Sequence, residues 1–169
     1  MSEFLESMKH SFNDPVTRHA MLVHFPIVLS MVLVPFIFAL PFLSPGKSRV
    51  YRVILAASVF TTAVITWQAG EAGEAAEPIV QARMQSEAAN AVLTFHATWG
   101  ERIPLFLAGT SILVGLTLVP LRSIRVAASL ASIAAILGCV VAVAVVAHEG
   151  GQLVYRHGAA GDAMPGPRN

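Results

Sequence analysis

Residues 126–148 read VAASLASIAAILGCVVAVAVVAH, and no Asp, Glu, Lys or Arg interrupts the chain between Arg125 and Glu149. A helix of that length rises about 34 Å, enough to cross the hydrocarbon core of a bilayer. Three other stretches lack charge in the same way: between Arg18 and Lys47, between Arg52 and Glu71, and between Arg102 and Arg122. Lipid offers the backbone no hydrogen-bond partner, so each stretch reads as a helix. The expected spans fall near 21–43, 50–70, 102–121 and 126–148. Composition agrees with this. The chain is 55% hydrophobic and 12% charged, where a soluble domain carries about a quarter charged residues. Its 169 residues fit one domain. The expected fold is all-α: an integral membrane four-helix bundle, up-down-up-down, with short amphipathic surface helices.

The spans differ in texture. Pro26 stands near the start of the first, where a missing N–H costs little, while Pro35 predicts a kink and Pro41 a stop. The last span carries a stripe of small residues, Ala127, Ala131, Ala134, Gly138 and Ala142. Such a stripe lets a neighbouring helix or a flat ligand approach closely. SPGKSR and RSIR are short turns, and 71–101 is the one long connection. Within it, 78–96 reads as an amphipathic surface helix starting at Pro78. Phe4, Leu5, Met8 and Phe12 suggest another in the N-terminal segment 1–18. The transmembrane domain covers 19–158, and 159–169 reads as a loose tail. No internal repeat is evident.

Charge sets the expected orientation. Lys47, Arg49, Arg52, Arg122 and Arg125 stand in or beside the two short turns, with no acid among them. Positive residues stay inside, so both termini and the long connection are expected outside. That is the periplasmic side of a bacterial inner membrane. The N-terminus lacks the basic start of a secretory signal, so the first span reads as retained. A net charge of +1 leaves no footprint for nucleic acid. Cys139 is the single cysteine, which excludes an internal disulfide, a zinc ribbon and covalent haem attachment through CxxCH. There is no GxSxG and no phosphate-binding loop. An electron carrier or subunit is expected rather than a stand-alone catalyst.

All six histidines, His10, His19, His24, His96, His148 and His157, fall on the expected outer side. Ionisable residues within a span suggest function, and His24 lies inside the first apolar run. Two chemistries compete for this cluster. One is non-covalent haem b, with His24 and His96 as axial ligands from diagonal helices and with His19, His148 and His157 in support. The other is a transition-metal ion held by several histidines with Glu71 or Glu74. Trp67 and Trp99, with Glu71 and Glu74, are expected to surround the ligands. Interfacial solvation of His and Trp is the ordinary alternative. The chain is then a structural or assembly subunit of a larger membrane complex without its own cofactor.

HAMLVHFPIVL (19–29) and GGQLVYRHG (150–158) resemble the opening and closing elements of a bacterial family of predicted four-helix membrane proteins of unknown function. That family opens on a histidine-proline followed by VHFPIAL and closes on GGxLVYxHG. The resemblance covers roughly 19–158. It carries over onto His19, His24, Phe25 and Pro26, onto Gly150, Gly151, Leu153, Val154, Tyr155, His157 and Gly158, and onto His96 as the family's middle histidine. Ala20 stands where the family has proline, and His148 where it has a small or neutral residue. Some members look fused to cytochrome c-type domains. The resemblance thus implies an electron-transfer setting, with haem b, the lipid bilayer, quinone and a periplasmic cytochrome or a larger complex as partners.

Overall fold

The structure, a computed structural model, describes residues 2–44, 48–84 and 86–159. The described residues form seven α-helices: α1 Ser2–Asn13, α2 Pro15–Leu22, α3 His24–Phe38, α4 Arg49–Gln81, α5 Glu87–Gly100, α6 Ile103–Leu116 and α7 Arg122–Tyr155. A 3-10 turn follows α3 at Leu40–Phe42, and no strand occurs among the described residues. Three stretches are long and apolar enough to cross a membrane: Pro15–Phe42, Arg49–Gln81 and Arg122–Tyr155. Lys47 and most of the tail, 160–169, lie outside the described residues.

The helix boundaries depart from expectation for local reasons. The first span is divided at Val23, because Pro26 has no N–H to give the Leu22 carbonyl. Pro35 is accommodated inside α3, which ends at Phe38 ahead of Pro41. α6 has 14 residues, fewer than the expected 102–121. Thr117 closes it on the Val114 carbonyl, and Pro120 prevents its continuation. The surface helix expected at 78–96 does not form as such. α4 runs on through Pro78 to Gln81, and α5 starts afresh at Ser86, whose hydroxyl caps the Ala89 N–H at 3.1 Å. Gly150 and Gly151 do not break α7. Gly158 turns the chain instead, at φ 71°, and the Ala159 N–H returns to the Leu153 carbonyl.

α3 packs against α4 and α7, and so does α6. The four close a ring in which α3 lies diagonal to α6. α2 rests on α4 and α5 on α7. The interior holds Ile37, Val59, Leu107 and Ile136 together with fully buried Ser30, Thr62, Thr110 and Ser132. Their hydroxyls bond carbonyls of their own helices. The outside is apolar: Val28, Met31, Phe60, Leu105, Ile112 and Val141 are all exposed. The expected small-residue stripe of α7 does not face the core. Ala127, Ala134 and Gly138 are exposed, and the buried face runs through Ala128, Ser132, Ile136, Cys139 and Val143. Arg52 is buried near the start of α4. It donates to Ser48 Oγ and to the Leu40 and Leu43 carbonyls, capping the end of the first span.

An internal repeat, not evident in the sequence, emerges from the packing. α2–α3–α4 and α5–α6–α7 follow the same order: a helix that ends ahead of a proline, a second helix of 14 or 15 residues, and a long helix of 33 or 34 residues. α5 ends at Gly100, four residues before Pro104, as α2 ends at Leu22, four before Pro26. Exchanging the two units turns α2·α4 into α5·α7 and α4·α6 into α7·α3, and all of these pairs are in contact. A pseudo-two-fold relation requires that. Aligned on it, TRHA (17–20) matches TFHA (94–97). Apart from such short matches the two units share little sequence, which hides the repeat from inspection.

Candidate functional site

The site lies where the two units meet. The proline breaks detach α2 and α5 from the medium helices and seat them on α4 and α7. His19 on α2 donates from Nδ1 to the Ala69 carbonyl of α4 at 2.7 Å. His96 on α5 donates from Nδ1 to the Val146 carbonyl of α7 at 2.9 Å. Each carbonyl lies 50 residues after its histidine. A glycine stands one turn further along each long helix, Gly73 and Gly150, with the ring directly against it.

A carbonyl only accepts, so each Nδ1 carries a proton, and Nε2 is the nitrogen left over to meet a ligand. The two rings face one another, with centroids 5.9 Å apart and planes at 83°. Burial pushes the His96 pKa below its ordinary value, which keeps the ring neutral; the Val146 bond and Glu149 act in the other direction, and His19 adds to the lowering. A cavity of about 590 Å³ surrounds the pair, within the usual range for ligand sites. It lies between two apolar clusters and draws on both, with Ile103 and Val143 from one and Leu93 and Leu153 from the other. Small residues on all sides, including Ala69, Ala97, Gly100 and Ala147, leave room for a flat body. Glu74, Glu77 and Glu101 add carboxylates to the lining, and among the described residues no Lys or Arg joins it.

The other expected site residues are placed as follows. His24 lines the cavity but is exposed, and its Nδ1 bonds the Ala20 carbonyl of the preceding turn at 2.7 Å. The partner facing His96 is therefore His19, not His24. His148 is exposed on α7, and His157 is half-buried beyond its end; neither lines the cavity. His10 is exposed on α1. Glu71 accepts the Trp67 indole N–H at 3.0 Å, and this exposed pair also lies outside the lining. Glu74 is in the lining, whereas Trp99 stacks under Arg102, 5.0 Å from its ring centre, outside it. Among the described residues, no three His, Cys, Asp or Glu side chains converge. The carbonyls of Ala69 and Val146, with Gly73 and Gly150, are the functional elements that sequence reasoning missed. The signal for them was the TxHA pair with its common spacing. No protein-family model, curated protein or solved structure matches this chain.

Proposed function

We propose that the chain is a membrane-bound electron-transfer protein that holds non-covalent haem b between His19 and His96, and passes electrons between the quinone layer and a carrier on the histidine side. One observation carries this reading: two imidazoles, one from each unit and each tied by Nδ1 to a backbone carbonyl, stand 5.9 Å apart. Histidines that ligate metals habitually have their other nitrogen tied in this way. His19 and His96 would hold the haem between them by their Nε2 atoms. A macrocycle that brings its own four nitrogens needs only these two protein ligands. Haem supplies one-electron redox chemistry when bound. The chain's part would be to hold the group through His19 and His96 and to shield it with walls drawn from both apolar clusters. Among the described residues no basic side chain lines the cavity, so the cofactor's own carboxylates would be left to water.

The bilayer setting draws on several features. Ala69 lies 17 residues beyond Arg52 on α4, about 25 Å at 1.5 Å per residue, close to the thickness of the hydrocarbon core. An apolar exterior over a hydroxyl-bearing interior suits lipid contact. The ring of α3, α4, α6 and α7 is read as an up-down-up-down bundle with α6 as the fourth crossing. Its arginine end faces the cytoplasm and the histidine end the periplasm. The likeness of 19–29 and 150–158 to the membrane family supports the same setting. The second reading is a bare transition-metal ion bound by the histidines with Glu74 of the lining.

The visible spectrum of the detergent-purified chain, expressed with ample haem, tests the proposal. A Soret band that shifts on reduction is expected. H19A and H96A each abolish it, and H24A retains it. A wild-type chain without the band overturns the haem reading. Stoichiometric metal in that preparation establishes the second reading, and its absence leaves the chain a subunit without its own cofactor.

A further inference from the structure

We infer that Gly73 and Gly150 are positioning residues: each leaves open on its long helix the space of one methyl group, so that an imidazole can reach the carbonyl one turn earlier. A Cβ at Gly73 would stand 2.9 Å from His19 Nδ1 and 3.0 Å from its Cε1. A Cβ at Gly150 would stand 2.9 Å from His96 Cε1 and 3.3 Å from its Nδ1. Those distances are inside van der Waals contact, so the ring must move. The only way open to it is off the long helix, into the cavity and toward the other ring, 5.9 Å away. A displaced ring loses its carbonyl, and with it the bond that fixes the tautomer. The requirement belongs to these two positions and not to glycine in general. Gly70 and Gly151 line the same cavity, yet a Cβ at either meets nothing within 4 Å. Alanine also favours helix over glycine, so the backbone does not explain why these positions lack a side chain.

Imidazole 15N NMR of the full-length, detergent-solubilised chain tests this without any cofactor. G73A is expected to remove the Nδ1–H tautomer signature of His19, and G150A that of His96. G70A and G151A leave both signatures intact. If G73A and G150A keep the wild-type tautomers, the inference fails. Should G73A not fold, G73A/H19A removes the ring that the methyl would strike and is expected to restore folding; a double variant that stays unfolded also overturns the inference. In the loaded protein the inference rests on the haem reading, and there G73A and G150A convert a low-spin spectrum toward high spin. A wild-type chain with no haem band refutes that reading alone, and the NMR comparison still decides the role of the glycines.

Discussion

The first unit sets its histidine five residues after its capping Asp14, on a helix of eight residues; the second sets it ten residues after Ser86, on a helix of 14. The break that follows is Val23 alone in one unit and Glu101–Arg102 in the other. Arg52, buried and capping the end of the first span, corresponds in the second unit to Ser129, which only bonds the Arg125 carbonyl. Near these breaks the first unit gives the cavity lining the His24 imidazole and the second the Glu101 carboxylate. Against all this variation, the step from ring to carbonyl is 50 residues in both units, and the glycine follows one turn later. Helix lengths, caps and cavity lining are free to diverge where only solvent or lipid meets them. The distance from ring to ring is not free, because two partners share one gap.

The comparison can be broken most severely at the rings. If they act as one clamp, H19A and H96A each lose all cofactor absorbance, and the double variant loses no more. Partial retention in only one of the single variants would show that the units are unequal. The next largest effect separates Arg52 from Ser129. R52M deserts two carbonyls and is expected to cost about 3 kcal/mol, whereas S129A costs about 1 kcal/mol or less. Denaturant unfolding in detergent measures both, and equal losses would remove the asymmetry. R52M leaves the absorbance unchanged because the site is a span's length away.

A smaller effect concerns pH. Burial holds His96 below its ordinary pKa, so on acidification the unfolded chain takes up the proton before the folded one does. The cofactor-free chain is therefore expected to lose stability as pH falls below about 6.5, and to lose less in H96Q. Thermal unfolding across that range checks the slope; a flat profile in the wild type would contradict the burial argument. The smallest effect lies in the caps, where D14A and S86A should each cost about 1 kcal/mol at neutral pH. The Thr17 hydroxyl and N–H lower the Asp14 carboxyl pKa. Its contribution is thus present above the ordinary carboxylate range and is lost as pH falls through the lowered value. Ser86 has no such dependence. The pH profile of D14A minus wild type, set against that of S86A, distinguishes the two caps.

The sequence by itself determined that the chain is helical, where its apolar stretches lie, and that the histidines gather at one end of them while Arg49, Arg52, Arg122 and Arg125 stand at the other. These are local properties: the spacing of charges along the chain and the hydrogen bonding of a backbone in an apolar solvent. It also pointed to His96 and to the histidine pair at 19 and 24. Only the tertiary structure decided which of that pair meets His96. His19 and His24 stand on either side of a helix break that one missing N–H produces. One ring therefore meets a carbonyl 50 residues away, and the other folds back on its own turn. The stripe of small residues on α7 shows the same limit. Its spacing is legible, but the face that is buried, one residue further on, depends on where α3 and α6 approach. The repeat was hidden because it resides in separations of 50 residues and in two glycines, which periodicity over a few turns does not reveal.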